Sequence, residues 1–285
     1  MATALRWLGY LIAFLLVLVL LAAAWIWVAS ERALSATHEG VPERLVRPTA
    51  AQLADGDRQL KVLGCYSCHG DGLRGKLMFS EPNVADVHAP NLTLIAAESS
   101  DQQLARAIRQ GIGADGRSLF VMPSAQYSRL EDAEVTALIA AIRALPAGGT
   151  QTPGVKLGPI GRLGVATGKF PSQPDQVELY RNTMPADLGP QFAAGRKLAM
   201  VNCAECHGPS FGGGEPKPGT KAPDLIVAGA YDLPEFQRLM RTGVPTGNRK
   251  LGLMADVARA DFRHFTDSEI AAIHAYLKER AARAP

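Results

Sequence analysis

The sequence opens with a long run of apolar residues and continues with segments in which apolar residues recur at helical spacing. Residues 7–30, WLGYLIAFLLVLVLLAAAWIWVAS, carry no charge. A helix of about 20 apolar residues crosses the hydrocarbon core of a bilayer. Aromatic residues stand near both ends of the run, as they do in the aromatic belts of membrane helices. The pattern predicts an N-terminal transmembrane anchor at residues 1–30.

A cleaved signal peptide is the alternative for this segment. The apolar core of a signal peptide is usually shorter, about 7–15 residues, and is followed by a cleavage site made of small residues. Here Trp25 and Trp27 crowd the small residues of the run. Arg6 is the one charged side chain before the run, which favours an N-terminus on the inner side of the membrane and places everything after Glu31 on the outer side.

Two long segments after the anchor repeat each other, which indicates an internal duplication. In the final segment of each copy, apolar residues recur at spacings of three and four behind an acidic residue, Asp132 or Asp267, and this predicts an amphipathic helix. The aligned pairs are DRQLKVLGCYSCHG (57–70) with GRKLAMVNCAECHG (195–208), HAPNL (88–92) with KAPDL (221–225), and YSRLEDAEVTALIAAIRAL (127–145) with FRHFTDSEIAAIHAYLKER (262–280). Each copy is therefore predicted to be a small helical domain.

The predicted fold class is all-α, with two domains in tandem behind one transmembrane helix. No segment shows the two-residue alternation of a strand. A length of 285 residues also suits two domains of about 100–150 residues. Between the two repeats lies a linker, residues 147–189, that is rich in glycine and proline. We expect its first part, 147–174, to be extended and structureless. The predicted segments are the anchor (1–30), a tether (31–50), domain 1 (51–146), the linker (147–189) and domain 2 (190–285).

Composition excludes two classes of protein. The net charge of +3 is too small to indicate a nucleic-acid partner. The chain has 4 cysteines, and all of them lie in the motifs CYSCH (65–69) and CAECH (203–207). A dispersed disulfide framework is excluded, because no cysteine remains elsewhere to pair with them.

The motif C-x-x-C-H has three chemical interpretations. A structural zinc site needs four ligands close together, and the two cysteine pairs would have to meet face to face to supply them. A redox-active dithiol is typical of a thioredoxin-like βαβ context, which the sequence does not show. The third is covalent haem, in which two thiols bond one porphyrin and the next histidine faces its iron. Two copies in matching repeats favour two covalently attached haem c groups. The candidate residues are Cys65, Cys68 and His69 in the first copy and Cys203, Cys206 and His207 in the second.

A second iron ligand can come from one methionine in each copy. Met122 and Met254 occupy matching positions before the last helix, and Pro123 follows the first of them in a polar stretch. The alternative is that both fill gaps in the core, as methionine often does. Histidines outside the motifs, such as His88, do not recur at matching positions. We therefore expect the two methionines to be the sixth ligands.

Two prolines downstream of the motifs also recur. Pro90 and Pro223 lie in the matching stretches HAPNL and KAPDL. A backbone carbonyl at such a position can accept the N–H of a metal-bound imidazole and fix the orientation of the ring. The alternative is an ordinary turn proline, and the residues alone leave both open.

These motifs resemble class I cytochromes c in their tandem two-haem form. The resemblance rests on CYSCHG and CAECHG, on APNL and APDL, and on the methionine before a final amphipathic helix. It covers residues 51–146 and 190–285, and it implies haem attachment on the periplasmic side of a bacterial cytoplasmic membrane. The residues to which it assigns iron ligation are His69, Met122, His207 and Met254, and those to which it assigns the carbonyl role are Pro90 and Pro223.

The expected function is electron transfer rather than catalysis. Two six-coordinate haems would relay single electrons between a donor and an acceptor at the membrane, and the resemblance implies partners among dehydrogenase or oxidase subunits. A dihaem peroxidase-like enzyme with one open iron is the alternative, and an assembly subunit is a third hypothesis. No proline follows Met254 and three extra residues precede the last helix, so if Met254 is not a ligand, the second haem becomes the candidate for the open iron of that alternative.

Overall fold

The computed structural model describes residues 2–217 and 219–284, and 61% of it is helical. The α-helices are α1 (Ala2–Ser35), α2 (Ala50–Val62), α3 (Cys65–His69), α4 (Leu92–Glu98), α5 (Asp101–Gln110), α6 (Ser124–Tyr127), α7 (Asp132–Arg143), α8 (Pro159–Ala166), α9 (Gln173–Asn182), α10 (Ala193–His207), α11 (Leu233–Thr242), α12 (Leu253–Ala260) and α13 (Asp267–Ala282). The strands are β1 (Lys76–Glu81), β2 (Ala85–Ala89), β3 (Val155–Leu157), β4 (Gly214–Lys217) and β5 (Thr220–Ala222).

Helix α1 is apolar and exposed. Its mean hydropathy reaches 2.9 over an 18-residue window, and none of that window is buried. The helix runs to Ser35, beyond the uncharged stretch that ends at Ser30. Among the residues that the structure describes, α1 is the one helix long and apolar enough to cross a membrane.

The first hydrophobic core lies between α2, α4, α5 and α7. Local sequence sets where two of these helices begin: Thr49 caps α2 and Ser100 caps α5, each in a reciprocal pair with a glutamine three residues further on. Helix α2 crosses α7 at Gly56, where an added Cβ would lie 2.9 Å from the Cβ of Ala141. Glycine therefore allows the first and last helices of this half to pack closely.

The second core lies between α10, α11 and α13 and repeats this arrangement. Gly195 in α10 lies at the crossing with α13, where an added Cβ would be 2.0 Å from the carbonyl oxygen of Ala272. Thr266 and Glu269 form the reciprocal cap that begins α13. The apolar face predicted for this helix is buried, and its core residues are Ile270, Ile273, Tyr276 and Leu277.

The two halves of the chain are packed directly against each other. Val62 and Ala125 from the first half belong to the second core, and Val201 from the second half belongs to the first core. The guanidinium of Arg58 in α2 donates to the carboxylate of Glu269 in α13 at 2.8 and 3.0 Å. Apolar contacts and an ion pair therefore both join the halves.

The prediction of an all-α fold was wrong in one respect, because short strands are present. β1 and β2 form an antiparallel hairpin with Lys76 opposite Ala89 and Glu81 opposite Ala85, and β3 pairs with the other edge of β2. β4 and β5 form a separate two-stranded ladder in the second half. β1 is almost wholly exposed, so it has no buried face that an alternating apolar pattern could have revealed.

The expectation of a structureless linker was also wrong. Residues 147–189 contain β3, α8 and α9. The prolines led to a prediction of irregular structure, but Pro159 and Pro174 lie in the first turns of α8 and α9. Proline is tolerated there, because the N–H that it lacks has no partner within the helix. Val177 and Tyr180 of α9 belong to the second core. Tertiary packing thus orders a segment whose composition is typical of a loop.

The predicted tether is likewise held by the first half. Helix α1 takes up residues 31–35. Further on, Glu43 is 8% exposed, and its carboxylate accepts hydrogen bonds from Arg109 at 2.8 Å and from the Gln110 amide at 2.5 Å. His38 hydrogen-bonds to Ser118 at 2.8 Å. These contacts connect the end of α1 firmly to the first half.

Candidate functional site

The first C-x-x-C-H motif forms helix α3, directly after α2. Gly64 joins the two helices in the left-handed region (φ 72°), which favours glycine because it has no Cβ. The Tyr127 hydroxyl donates to the Leu63 carbonyl and fixes this turn from the side of α6. Since an α-helix has about 3.6 residues per turn, Cys65 and Cys68 lie on one face of α3.

The second motif lies at the end of a longer helix. Helix α10 reaches His207 without a break, and Asn202 occupies the position that corresponds to Gly64. Gly208 (φ 76°) then ends α10, as Gly70 (φ 74°) ends α3. In both copies the motif histidine is therefore the last residue of a helix.

Each motif histidine is buried and is held by a proline carbonyl. Nδ1–H of His69 donates to the Pro90 oxygen at 2.8 Å, and Nδ1–H of His207 donates to the Pro223 oxygen at 2.8 Å. Because a carbonyl only accepts, Nδ1 carries the proton and Nε2 of the neutral ring keeps its lone pair for a metal. Burial lowers the pKa of both histidines, which favours this neutral form.

The four motif cysteines are not paired in disulfides. Burial raises the pKa of Cys65 and Cys203 to about 12 and that of Cys68 and Cys206 to about 11. A redox-active dithiol depends on a lowered thiol pKa, so this environment does not favour one. Within residues 2–217 and 219–284, no group of three or more His, Cys, Asp or Glu side chains could hold a metal ion, which argues against a structural zinc site there.

Each candidate methionine lies against the same core as a cysteine of its own copy. Met122 and Cys65 pack at the edge of the first core, and Met254 and Cys203 pack at the edge of the second. Their local settings differ: Met122 and Pro123 come before the four-residue helix α6, whereas Met254 lies inside the first turn of the eight-residue helix α12. The longer helix accommodates the extra residues of the second copy.

Residues 192–281 match the family model of cytochrome c. This part of the chain is similar to cytochrome c, and we refer to it as the cytochrome c domain. Such a domain implies covalently bound haem c. The residues present fit that group, because Cys203 and Cys206 are adjacent protonated thiols and His207 keeps Nε2 free on a ring fixed through Nδ1.

The chain also resembles a cytochrome subunit of a dehydrogenase. It is 25% identical over 255 residues to the fructose dehydrogenase cytochrome subunit of Gluconobacter japonicus, and the match covers 77% of this chain and 51% of that protein. The chain thus spans about half the length of this curated relative.

The residue after each histidine-binding proline holds the carbonyl in place. Asn91 is fully buried, accepts a hydrogen bond from the Thr93 N–H at 3.1 Å and donates to a linker carbonyl at 2.8 Å. In the cytochrome c domain, Asp224 accepts from the Ile226 N–H at 2.8 Å and from Arg280 at 2.7 Å. The matching stretches APNL and APDL contain both residues, but the repeat alone does not indicate this role.

The two motifs lie on a common interface between the halves. Ser67, inside CYSCH, donates to Asp261 of the cytochrome c domain. Glu205, inside CAECH, donates its N–H to the side-chain oxygen of Gln126 at 3.1 Å. Burial is the main cause of the raised pKa of Cys68, and the negative charges of Asp261 and Glu205 raise it further.

Asp261 is a buried carboxyl group at this interface, 9% exposed. Burial raises its pKa to about 6, and the hydrogen bond from Ser67 and the positive charge of Lys76 oppose this shift only in part. No local sequence pattern marks this residue, because its hydrogen-bond partner is 194 positions away.

Proposed function

We propose that the chain is a membrane-anchored dihaem c-type cytochrome that relays single electrons between a periplasmic or membrane donor and an acceptor. The observation that carries the proposal is the pair of C-x-x-C-H motifs, each with its histidine on a proline carbonyl, one of them inside a cytochrome c domain. When bound, haem c supplies a reversible one-electron couple at its iron. The chain supplies the attachment points, the ligands and the surrounding core.

The same roles recur in both proposed domains. Two thiols attach the group, the histidine is one axial ligand, and a methionine thioether is the other, which raises the reduction potential. The proline carbonyl orients the histidine and makes it a stronger donor to iron. The proposed residues are Cys65, Cys68, His69, Met122 and Pro90 in domain 1 (51–146), and Cys203, Cys206, His207, Met254 and Pro223 in domain 2 (190–285).

The proposed location and partners rest on α1 and on the relative. As an anchor, α1 would hold both domains on the periplasmic side of the bacterial cytoplasmic membrane. The relative is a cytochrome subunit of a dehydrogenase. We therefore propose a dehydrogenase subunit as the electron donor and an oxidase or another membrane protein as the acceptor, with this chain as a carrier rather than a catalyst.

The optical spectrum of the oxidised full-length protein tests the proposed ligands. We expect sulfur-to-iron charge-transfer absorption from two haems in the parent, half of it lost in Met122→His and the other half lost in Met254→His. Both variants are also expected to have a lower reduction potential at the altered haem, because imidazole replaces a thioether. Met184→His, at a 41% exposed methionine, is the control and should change neither signal.

A high-spin haem in the parent would contradict this assignment. If that haem also turned over peroxide, and if Met254→His abolished the turnover, the peroxidase-like alternative would replace the carrier. Met254, unlike Met122, lies inside a helical turn, so the second haem is the one whose sixth ligand distinguishes the carrier from the peroxidase-like alternative.

A further inference from the structure

Helix α8 packs against α1 at the level where the apolar run of α1 ends. The guanidinium of Arg162 lies over the Trp27 ring, 3.8 Å from its centroid, and donates to the Ser30 hydroxyl at 3.0 Å and the Glu31 carboxylate at 3.1 Å. Ser30 is the last residue of the uncharged stretch. Tryptophan and arginine at such a position are typical of the boundary between hydrocarbon and headgroups.

One face of α8 is apolar and exposed. Ile160 is 57% exposed and Leu163 is 41% exposed, and their spacing of three places them on the same side of the helix. The helix contains no acidic residue, and its one basic residue, Arg162, is engaged with α1. The exposed face therefore carries no charge that would have to leave water on contact with lipid.

The opposite face of α8 is fixed to the β1–β2 hairpin. The Ile160 N–H donates to the Asn83 carbonyl at 2.9 Å, and the Gly158 N–H donates to the Val84 carbonyl at 2.8 Å. An added Cβ on Gly161 would lie 2.3 Å from the Val84 oxygen, so the helix and the hairpin tip are in direct contact. Val84 is itself 36% exposed and enlarges the apolar surface beside Ile160.

We propose that α8 lies in the interfacial layer of the membrane that α1 crosses, with Ile160 and Leu163 inserted among the lipids. The inference rests on the proposed role of α1 as an anchor and extends it. The occupant of the apolar face is the bilayer, because α8 packs on α1 where the apolar run of α1 ends, and both helices expose apolar side chains there, among them Val28 and Ile160. The body of the protein is then held at a set height and tilt by two contacts with the membrane, α1 and α8.

Photolabelling from within the bilayer tests this placement on the full-length holoprotein. The protein is inserted into vesicles of phosphatidylethanolamine and phosphatidylglycerol that contain a phospholipid with a diazirine in its acyl chain. After irradiation, trypsin separates α8 into peptides 157–162 and 163–169, while 7–32 reports on α1 and 170–181 reports on α9. We expect lipid adducts on 7–32, 157–162 and 163–169, and none above background on 170–181, where Leu179 is 52% exposed.

A double variant, Ile160→Gln with Leu163→Gln, separates insertion from mere proximity. Adducts on 157–162 and 163–169 should fall to the level of 170–181, with the visible haem spectrum unchanged. The matched variant Leu179→Gln should alter no adduct. Labelling of 7–32 without labelling of the α8 peptides, or α8 labelling that survives the double variant, overturns the inference and leaves the anchor intact. Absence of labelling on 7–32 overturns the anchor, and the inference with it.

Discussion

Alanine at both Cys203 and Cys206 is expected to reduce covalent haem from two groups per chain to one. These two thiols are the proposed attachment points in the segment that matches cytochrome c. Cys203 packs at the edge of the second core, so a haem attached there completes that core. Without the group, the side chains around it lose packing partners, and such losses in a core cost about 2–5 kcal/mol for each large side chain removed. We therefore also expect the second half to unfold at a lower temperature.

The matched variant has alanine at Cys65 and Cys68 and should retain the haem of the cytochrome c domain. The measurement is the mass of the denatured full-length protein after expression in cells that attach haem c. The parent should carry two haem groups, each double variant one, and the quadruple variant none. A double variant that keeps both groups would show that attachment does not depend on its own motif.

Replacing Asp261 by asparagine is expected to stabilise the protein at pH 8 and to have little effect near pH 4. Burial raises the folded-state pKa of Asp261 to about 6 from 3.8. Well below pH 3.8 the carboxyl is protonated in both the folded and the unfolded state, so the substitution does not change the free energy of unfolding. Between pH 4 and 6 the unfolded chain releases the proton first, and the folded state loses stability as the pH rises. Above pH 6 the buried carboxylate lowers the free energy of unfolding by its full amount, about 3 kcal/mol for a pKa difference of about two units.

Asparagine keeps an oxygen that can accept the hydrogen bond from Ser67, so the variant removes the charge and little else. Urea unfolding of the detergent-solubilised holoprotein at pH 8 and pH 4.5 measures the effect. Ser67→Ala should act in the opposite direction and lower the stability at pH 8 by about 1–3 kcal/mol, since it leaves a buried carboxylate without its donor. Asp256→Asn, on a carboxyl with a 69% exposed side chain, should change stability by less than about 1 kcal/mol at either pH. An equal gain for Asp261→Asn at both pH values would contradict the assigned cause.

The features predictable from sequence are those that local patterns specify. Helix α13 begins at Asp267 with its apolar face buried, as the spacing of its residues indicated. The cytochrome c domain at 192–281 falls within the segment 190–285 that the repeat delimits. Helix α13 and this domain were predictable because the residues that specify them, in the motif, the cap and the periodic apolar positions, are close together in the sequence.

The features that sequence reasoning missed depend on contacts between distant segments. Helix α8 was not predicted, because Gly161 and Pro159 weaken its helical pattern and its position is set by the hairpin tip. The hydrogen bond between Ser67 and Asp261 joins residues 194 positions apart, and neither belongs to a motif position with an assigned role. The proline carbonyls were predictable in part. The repeat indicates that Pro90 and Pro223 occupy matching positions, but only the structure shows that their carbonyls accept hydrogen bonds from the histidines.

A coulometric titration of the full-length holoprotein in detergent, with the haem absorption followed at each potential, tests whether the chain carries two haems that each exchange one electron. We expect uptake of two electrons per chain in one-electron steps, with both haems low-spin throughout and no substrate required. Uptake of one electron per chain, or one haem that is high-spin and reacts with peroxide, would contradict the proposal that this chain is a two-haem electron carrier.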